Sequence, residues 1–387
     1  VVDCIFGTGF KDRHNTAVQA VMAAASRRTV IAADIPSGVL CDSGKAAAYA
    51  IKAVKTVTFA AYKPFCFLYP AKEHCGQIIL ADIGIPRRAL SEAEPEMFAL
   101  DDEILDCTKK PSNNTHKGSF GAVQTVCGSS SMTGAAVLCA DAALHSGVGM
   151  VYMTAGRRLR RIFQTQLREP VYVPYRRRTK AAACVIGCGL GENARKIEFY
   201  LSQNKPCVID ADAITYISKH RRLLKYLSAR AVITPHPAEM ARLLGTDTSA
   251  VEEDRITAAR SFATKYGVTT VLKGHHTLIA SPDGQIYINT TGNPALSKAG
   301  SGDVLAGVIG GLLAQLYPPT QAAALGVYLH DKAADILAEK YHRGAVRNTR
   351  ADGRVRARHH AAEHDSAGQT ISYKSHNRII CRPNGEF

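Results

Sequence analysis

The 387-residue chain has no run approaching the roughly 18 apolar residues that a membrane span requires. Its richest stretch, VLAGVIGGLLAQL at 304–316, is short and flanked by polar groups, so no bilayer crossing is expected. The first residues carry no basic segment ahead of an apolar one, which argues against a secretory signal; Val rather than Met at position 1 suggests a chain truncated in front. Eleven cysteines, an odd number, lie scattered without a CxxC pair or a Cys/His metal spacing. That pattern disfavours a disulfide framework and zinc, and suits reduced thiols in a cytoplasmic enzyme. Acidic residues are also in short supply, 33 against 48 basic ones, giving a net charge of +15. Such an excess raises nucleic acid as a partner. However, the runs Arg157, Arg158, Arg160, Arg161 and Arg176, Arg177, Arg178 lack interleaved aromatics, so a solvated basic face or a phosphorylated small ligand is expected instead. No internal repeat is visible.

What is present describes a globular α/β protein. Hydrophobic residues make up 46% and charged residues 21%, enough to bury a sizeable core, and the length calls for at least two domains. In the first 95 residues VVDCIF, TVIAADI, TVTFA and QIILADI are short β-branched runs followed by turn residues, with an alanine-rich helix at 16–26 between the first two. Polar, charged and proline-bearing sequence follows and reads as a linker at 96–115. Strands AVQTVCG, MVYMTA, ACVIG, PCVIDA, AVITP and TVLKG then alternate with helices, the pattern of a doubly wound parallel sheet; the last helix is TQAAALGVYLHDKAADILAEKY. Residues 345–387 have neither periodicity and few large apolar residues, so a divergent or disordered basic tail is expected.

The sharpest chemical signal is the run at 293–315. The glycine-rich turn Ala299, Gly300, Ser301, Gly302 leads into an apolar helix expected to start at Asp303, so free amides and the positive helix end converge on an anion. Asp303 reads either as a general base beside that anion or as an ordinary N-cap. KGHHT (Lys273, Gly274, His275, His276, Thr277) reads either as a nucleotide-binding strand end or as the entry to a hairpin. His236 lies between two prolines at a strand end, with Glu239 one turn on. Asp210 and Asp212 end another strand, and glycines follow Ile186. Each loop is weak evidence alone. Together they are loops at the carboxyl ends of parallel strands, where such sheets bind ligands.

In order and spacing, HKGSFG, GSSSMTGAA, GCGLG, DAD, TPHPAE, KGHHT and AGSGDVLAG resemble the ADP- or ATP-dependent NAD(P)H-hydrate dehydratases of the ribokinase-like superfamily, over residues 112–344. FGTGF, ADIPSG, TVTFAAYKP and ADIGIP resemble the carboxyl portion of NAD(P)H-hydrate epimerase, which is fused ahead of the dehydratase in bacterial bifunctional repair enzymes. The resemblance implies two doubly wound α/β domains, a Rossmann-like epimerase-type part at 1–95 and a ribokinase-like dehydratase domain at 116–344. It implies ADP (or ATP) as co-substrate, with ADP favoured, and Mg²⁺ on the nucleotide phosphates. The substrates would be (S)-NADHX and (S)-NADPHX, the hydrates of NADH and NADPH, and the protein a homo-oligomer.

Residue by residue, the resemblance implies that Asp303 is the base beside the hydrated ring, with Ala135, Gly189 and His236 lining the hydrate pocket. Lys273, Gly274, His275, His276, Thr277, Gly300, Ser301 and Gly302 would hold the nucleotide. In the first domain Asp3 and Ser37 would hold K⁺. Gly7, Thr8, Gly9, Phe10, Lys11, Asp12, Arg13 and Asp34 would contact the hydrate, although Asp34 alone reads as a strand-end turn. The family's Asn-containing glycine-rich loop would lie ahead of Val1, so impaired epimerisation is expected of this chain. Two other readings compete with this one: a ribokinase-like small-molecule kinase that retains a phosphorylated product, and a catalytically silent nucleotide- or nucleic acid-binding protein.

Overall fold

Short β-branched runs alternate with alanine-rich helices along the chain, and in the computed structural model they build two compact units, each around a parallel sheet. The structure describes residues 1–12, 15–92, 95–109, 112–340 and 378–379. No helix among the described residues is long and apolar enough to cross a membrane.

The first unit comprises Val1–Ala99 with Ile286–Thr290. Its strands β1 (Val2–Asp3), β2 (Ile31–Ala33), β3 (Lys55–Phe59) and β4 (Gln77–Ala81) pair in that order, all parallel. Helix α1 (Thr16–Ala25) starts at Asn15, whose side chain accepts from the Val18 amide at 3.2 Å. It buries Met22 against Val30 and Ile51. A short helix α2 (Arg87–Glu92) follows. The stretch read from sequence as a linker is not featureless. It contains a strand, β5 (Met97–Leu100), and a 3-10 helix, Asp102–Cys107. Strand β5 lies beside Ile286–Asn289, where the Ile286 amide donates to the Glu96 carbonyl at 2.9 Å and the rings of Phe98 and Tyr287 stack at 5.5 Å. That pairing joins residues nearly two hundred positions apart, so local composition could not reveal it.

The second unit carries strands β6 (Ala122–Val126), β7 (Met150–Ala155), β8 (Val171–Pro174), β9 (Ala183–Ile186), β10 (Cys207–Ile209), β11 (Ala231–Ile233), β12 (Thr269–Leu272) and β13 (Leu278–Ala280). They run in the order β13, β12, β11, β10, β9, β6, β7, β8, parallel except for β13. The chain leaves β6 toward β7 on one side and returns to β9 on the other. A crevice therefore opens beyond the carboxyl ends of β6 and β9, the switch point where such sheets bind ligands. The helices are α3 (Thr133–His145), α4 (Arg160–Gln166), α5 (Glu198–Leu201), α6 (Ala211–Lys219), α7 (Pro237–Leu244), α8 (Thr248–Glu253), α9 (Arg255–Tyr266), α10 (Ser301–Ala314) and α11 (Pro319–Lys340).

Helix α10 packs between α3, α11 and the sheet, and from Val304 to Ala314 all but Val308 is buried. Glycines make this approach possible. A Cβ on Gly307 would meet the Cys139 carbonyl at 2.2 Å, and one on Gly310 would meet Val185 Cγ2 at 2.1 Å. The tight packing points the amino end of α10 into the crevice. That end begins at Ser301 rather than Asp303, with Gly300 (φ 91°) as N-cap and no side-chain cap bond. Asp303 therefore stands inside the first turn, and the N-cap reading of it is set aside. Of the expected tail, only Arg378–Ile379 lies within the described residues, antiparallel to β5.

Candidate active site

Five strand ends and one helix end converge on the crevice. Asp210 follows β10 and is 2% exposed. Its Oδ1 accepts from Lys273 Nζ at 2.7 Å and from Thr234 Oγ1 at 2.8 Å. Lys273 follows β12, and its ammonium also lies 3.9 Å from Glu239. Burial alone would lower the Lys273 pKa, but Asp210 and Glu239 outweigh it and hold the group above its usual value, firmly charged. Glu239 is raised, mainly by burial. His236 forms a capping box with it: the His236 amide donates to Glu239 Oε2 at 2.9 Å and the Glu239 amide to His236 Nδ1 at 3.4 Å. Burial, then Lys273, depress the His236 pKa, so the ring is neutral at pH 7.

Asp303 faces this network from the first turn of α10. Oxygens of Asp303 and Asp210 and the Cys188 sulfur lie within 4.8 Å of one another. Burial first, and the like charge of Asp210 second, push the Asp303 pKa from 3.8 up to about 7. A carboxylate so poised exchanges a proton readily near neutral pH, which is what a general base needs. Gly302 lies beside it. A Cβ there would sit 3.4 Å from Lys273 Nζ and 3.9 Å from Asp210 Oδ2, so the bare backbone keeps the amide end of α10 open to an anion.

Of the residues expected to hold a nucleotide, all but Gly300 line one cavity. A cavity of about 480 Å³ is lined by Lys273, Gly274, His275, His276, Thr277, Ser301 and Gly302. His236, assigned to the hydrate by resemblance, lines this same cavity. So do residues that the sequence reading did not single out: Thr291, Asn293, Lys298, His330 and Asp331. Asp303 is not among its lining residues. The KGHHT segment is the loop of the antiparallel β12–β13 hairpin, as one of its two readings expects, and it also lines this cavity, braced by Arg255. Arg255 donates to the carbonyls of His275 at 2.7 Å, Leu272 at 3.3 Å and His276 at 3.4 Å. The 291–298 side is fixed by Asp335, which accepts from the Gly292 amide and from Asn293 Nδ2, both at 2.8 Å. Neither brace has a sequence signature, since each pairs residues far apart in the chain.

Ala135 and Gly189 meet at the other side of the crevice. Gly189 has φ 61°, and a Cβ there would lie 2.8 Å from Ala135 Cβ, so only glycine fits.

In the first unit, Asp3 and Ser37 are brought together. The Ser37 hydroxyl donates to Asp3 Oδ1 at 2.6 Å and its amide to Oδ2 at 2.7 Å, with the Ile5 amide at 3.3 Å. The Phe6 amide donates to Ser37 Oγ at 3.0 Å, which draws the loop that begins at Phe6 toward Ser37. There Gly7 and Gly9 face open space, Thr8 is half-buried, Phe10 is buried against Phe6, Lys11 is exposed and Asp12 bonds the Tyr49 hydroxyl. Arg13 lies outside the described residues. Asp34, at φ 65°, accepts from the Phe59 amide at 3.0 Å and pairs with Lys63, a partner present in the TVTFAAYKP motif but not singled out from sequence.

The switch-point crevice, the anion-ready end of α10 and the braced cavity define the second unit as a ribokinase-like α/β fold with a candidate ligand site. A sequence model of NAD(P)H-hydrate dehydratase matches residues 123–354, and one of the YjeF-related protein N-terminus matches residues 1–65. The bifunctional NAD(P)H-hydrate repair enzyme Nnr of Moorella thermoacetica is 37% identical over 366 residues, 88% of this chain and 69% of that protein. The ADP-dependent (S)-NAD(P)H-hydrate dehydratase of Neisseria meningitidis is 42% identical over 249 residues, 60% of this chain and 82% of that protein. The crystal structure of the ADP/ATP-dependent NAD(P)H-hydrate dehydratase of Bacillus subtilis with ATP/Mg²⁺ superposes with a TM-score of 0.59 at 27% identity, covering 66% of this chain and 96% of that one. The chain belongs to the NAD(P)H-hydrate dehydratase family, with an epimerase-type domain ahead of it.

Proposed function

We propose that this chain dehydrates the S hydrates of NADH and NADPH at the expense of a nucleotide's terminal phosphoryl group, with ADP favoured over ATP. The observation that carries the reading is Asp303, poised near pH 7 in the first turn of an amide-lined helix end and across from the ion pair of Lys273 with the buried Asp210. Hydroxide is a poor leaving group, so the ring hydroxyl must first be made a better one. Asp303 takes its proton as that oxygen forms a bond to the terminal phosphorus and the bond from phosphorus to the nucleotide breaks. The oxygen then departs as inorganic phosphate, pushed out by the ring nitrogen's lone pair, and loss of a proton from the adjacent ring carbon restores the dihydronicotinamide. Amides of residues 300–302 and the Lys273 ammonium offset charge on the transferred group. Ala135 and Gly189 line the hydrate side. Residues 273–277 with Ser301 and Gly302 hold the nucleotide, with His236 on the wall of the same cavity.

The Neisseria relative is named for ADP, which supports that choice. Mg²⁺ accompanies ATP in the Bacillus structure. Here the group formed by Cys188, Asp210 and Asp303 mixes a thiol with carboxylates and does not suit so hard an ion, so Mg²⁺ would be held chiefly by nucleotide phosphates. In the first unit, Asp3 is a buried carboxylate that receives only neutral donors and forms no ion pair among the described residues, which suits a monovalent cation such as K⁺. That assignment is tested by melting in KCl against NaCl: K⁺ raises Tm in the native protein and not in Asp3→Asn. The dehydratase reading is tested by supplying hydrated NADH with ADP or ATP. Reduced nicotinamide and free phosphate should appear together, whereas a stable phosphorylated hydrate would identify a kinase instead.

A further inference from the structure

Three cysteines that are far apart in sequence converge beneath the crevice. Cys127 follows β6, Cys139 lies in α3 and Cys188 follows β9, and their sulfurs all lie within 4.8 Å of one another. They are 1%, 0% and 0% exposed. Cys127 Sγ stands 3.9 Å from Cys139 Sγ, and the Gly128 amide donates to the Cys188 carbonyl at 2.8 Å, which locks the two loops together. Zinc–sulfur bonds of about 2.3 Å at tetrahedral angles put neighbouring sulfurs about 3.8 Å apart, so this spacing matches a thiolate metal site with little movement. The scattered cysteine spacing in sequence gives no sign of this convergence, because each sulfur comes from a different part of the fold.

We propose that Cys127, Cys139 and Cys188 bind a thiophilic d¹⁰ cation of the zinc class, and that its binding silences the dehydratase. Soft sulfur ligands select such ions over Mg²⁺. Binding forms three metal–sulfur bonds, the protons of the bound thiols passing to solvent, with no change of oxidation state. Cys188 is shared between the thiol trio and the group containing Asp303 and Asp210, with Cys188 Sγ 3.8 Å from Asp210 Oδ2. The open fourth position therefore faces those carboxylates, and a bound cation draws Asp303 away from its work as a base. The silencing rests on the function proposed above, whereas the metal binding does not.

The test uses the full chain titrated with Cd²⁺, read by the ultraviolet thiolate-to-cadmium absorption, and with Zn²⁺, read by dehydratase activity. The native protein should show a band saturating at one equivalent. Cys139→Ala should lose most of that band while retaining dehydratase activity without added metal, which also reports that it folds. Cys4→Ala, which removes an exposed thiol, should keep the band. Zn²⁺ should inhibit the native protein at least tenfold and leave Cys139→Ala active. Equal bands in native and Cys139→Ala proteins, or no band in either, overturn the site. A band that depends on Cys139 without Zn²⁺ inhibition overturns the silencing. Absence of hydrate turnover in metal-free native protein would instead fail the dehydratase reading, and the cadmium band would still decide the site.

Discussion

Replacing Asp303 with Asn keeps the volume of the side chain and removes its charge, so it separates the two consequences of a raised pKa. The shift from 3.8 to about 7 spans about three units, which at about 1.4 kcal/mol each is on the order of 4 kcal/mol, an upper figure because the carboxyl keeps some solvent contact. Between pH 4 and 7 the folded protein holds a proton that the unfolded chain has already released. Native stability contributed by this group is therefore complete below about pH 4, falls as pH rises through that window, and is lost above about 7. The Asn variant lacks this slope. It should melt near the native protein at pH 4 and increasingly above it as pH rises to 8, by several degrees. Activity should move the other way: removing a general base costs about 10²–10⁴ in turnover, read as the return of reduced-nicotinamide absorbance, while nucleotide binding persists. The native rate should climb as pH rises through about 7. Native-like turnover in the variant, or a Tm difference that does not change between pH 5 and 8, would refute the reasoning.

Asp210→Asn removes the like charge that helps raise the Asp303 pKa, so the acid limb of kcat/KM should move to lower pH. It also leaves the half-buried Lys273 with only Glu239 nearby, a loss of up to about 3 kcal/mol measurable by denaturant unfolding. Gly189→Ala places a Cβ 2.8 Å from Ala135 at φ 61° and should cost at least about 1–2 kcal/mol; in kinetics, KM for the hydrate should rise while KM for the nucleotide holds. Arg255→Lys breaks the fork that braces the 273–277 loop through three carbonyls. Nucleotide affinity should fall about tenfold, about 1.4 kcal/mol, with turnover at saturation little changed, as checked by titration calorimetry.

Much of this site could be read from sequence because its parts are local. Glycine turns after strands, Lys273 at a strand end and Asp303 beside a helix start each show within a few residues. Strands β6, β7 and β9 to β12 and helix α11 all fall where apolar runs and helical spacing put them. What escaped is long-range. Strand β5 pairs with Ile286–Asn289 although nearly two hundred residues of sequence separate them, and VYVP at β8 is too short beside its arginines to stand out. Arg255, Asp335 and Lys63 act through partners at least 17 residues away, and three unremarkable cysteines meet only once β6, α3 and β9 are assembled. The start of α10 differed by two residues. That difference carries chemical weight, since it moves Asp303 from a capping position to one facing Asp210.

The most direct measurement follows phosphate and nicotinamide together in one reaction of (S)-NADHX, nucleotide and the intact chain. One inorganic phosphate should be released for each reduced nicotinamide formed, and no nicotinamide should form without nucleotide. Nicotinamide formed at the same rate with no nucleotide present, or nucleotide consumed while phosphate stays attached to the hydrate, would contradict it.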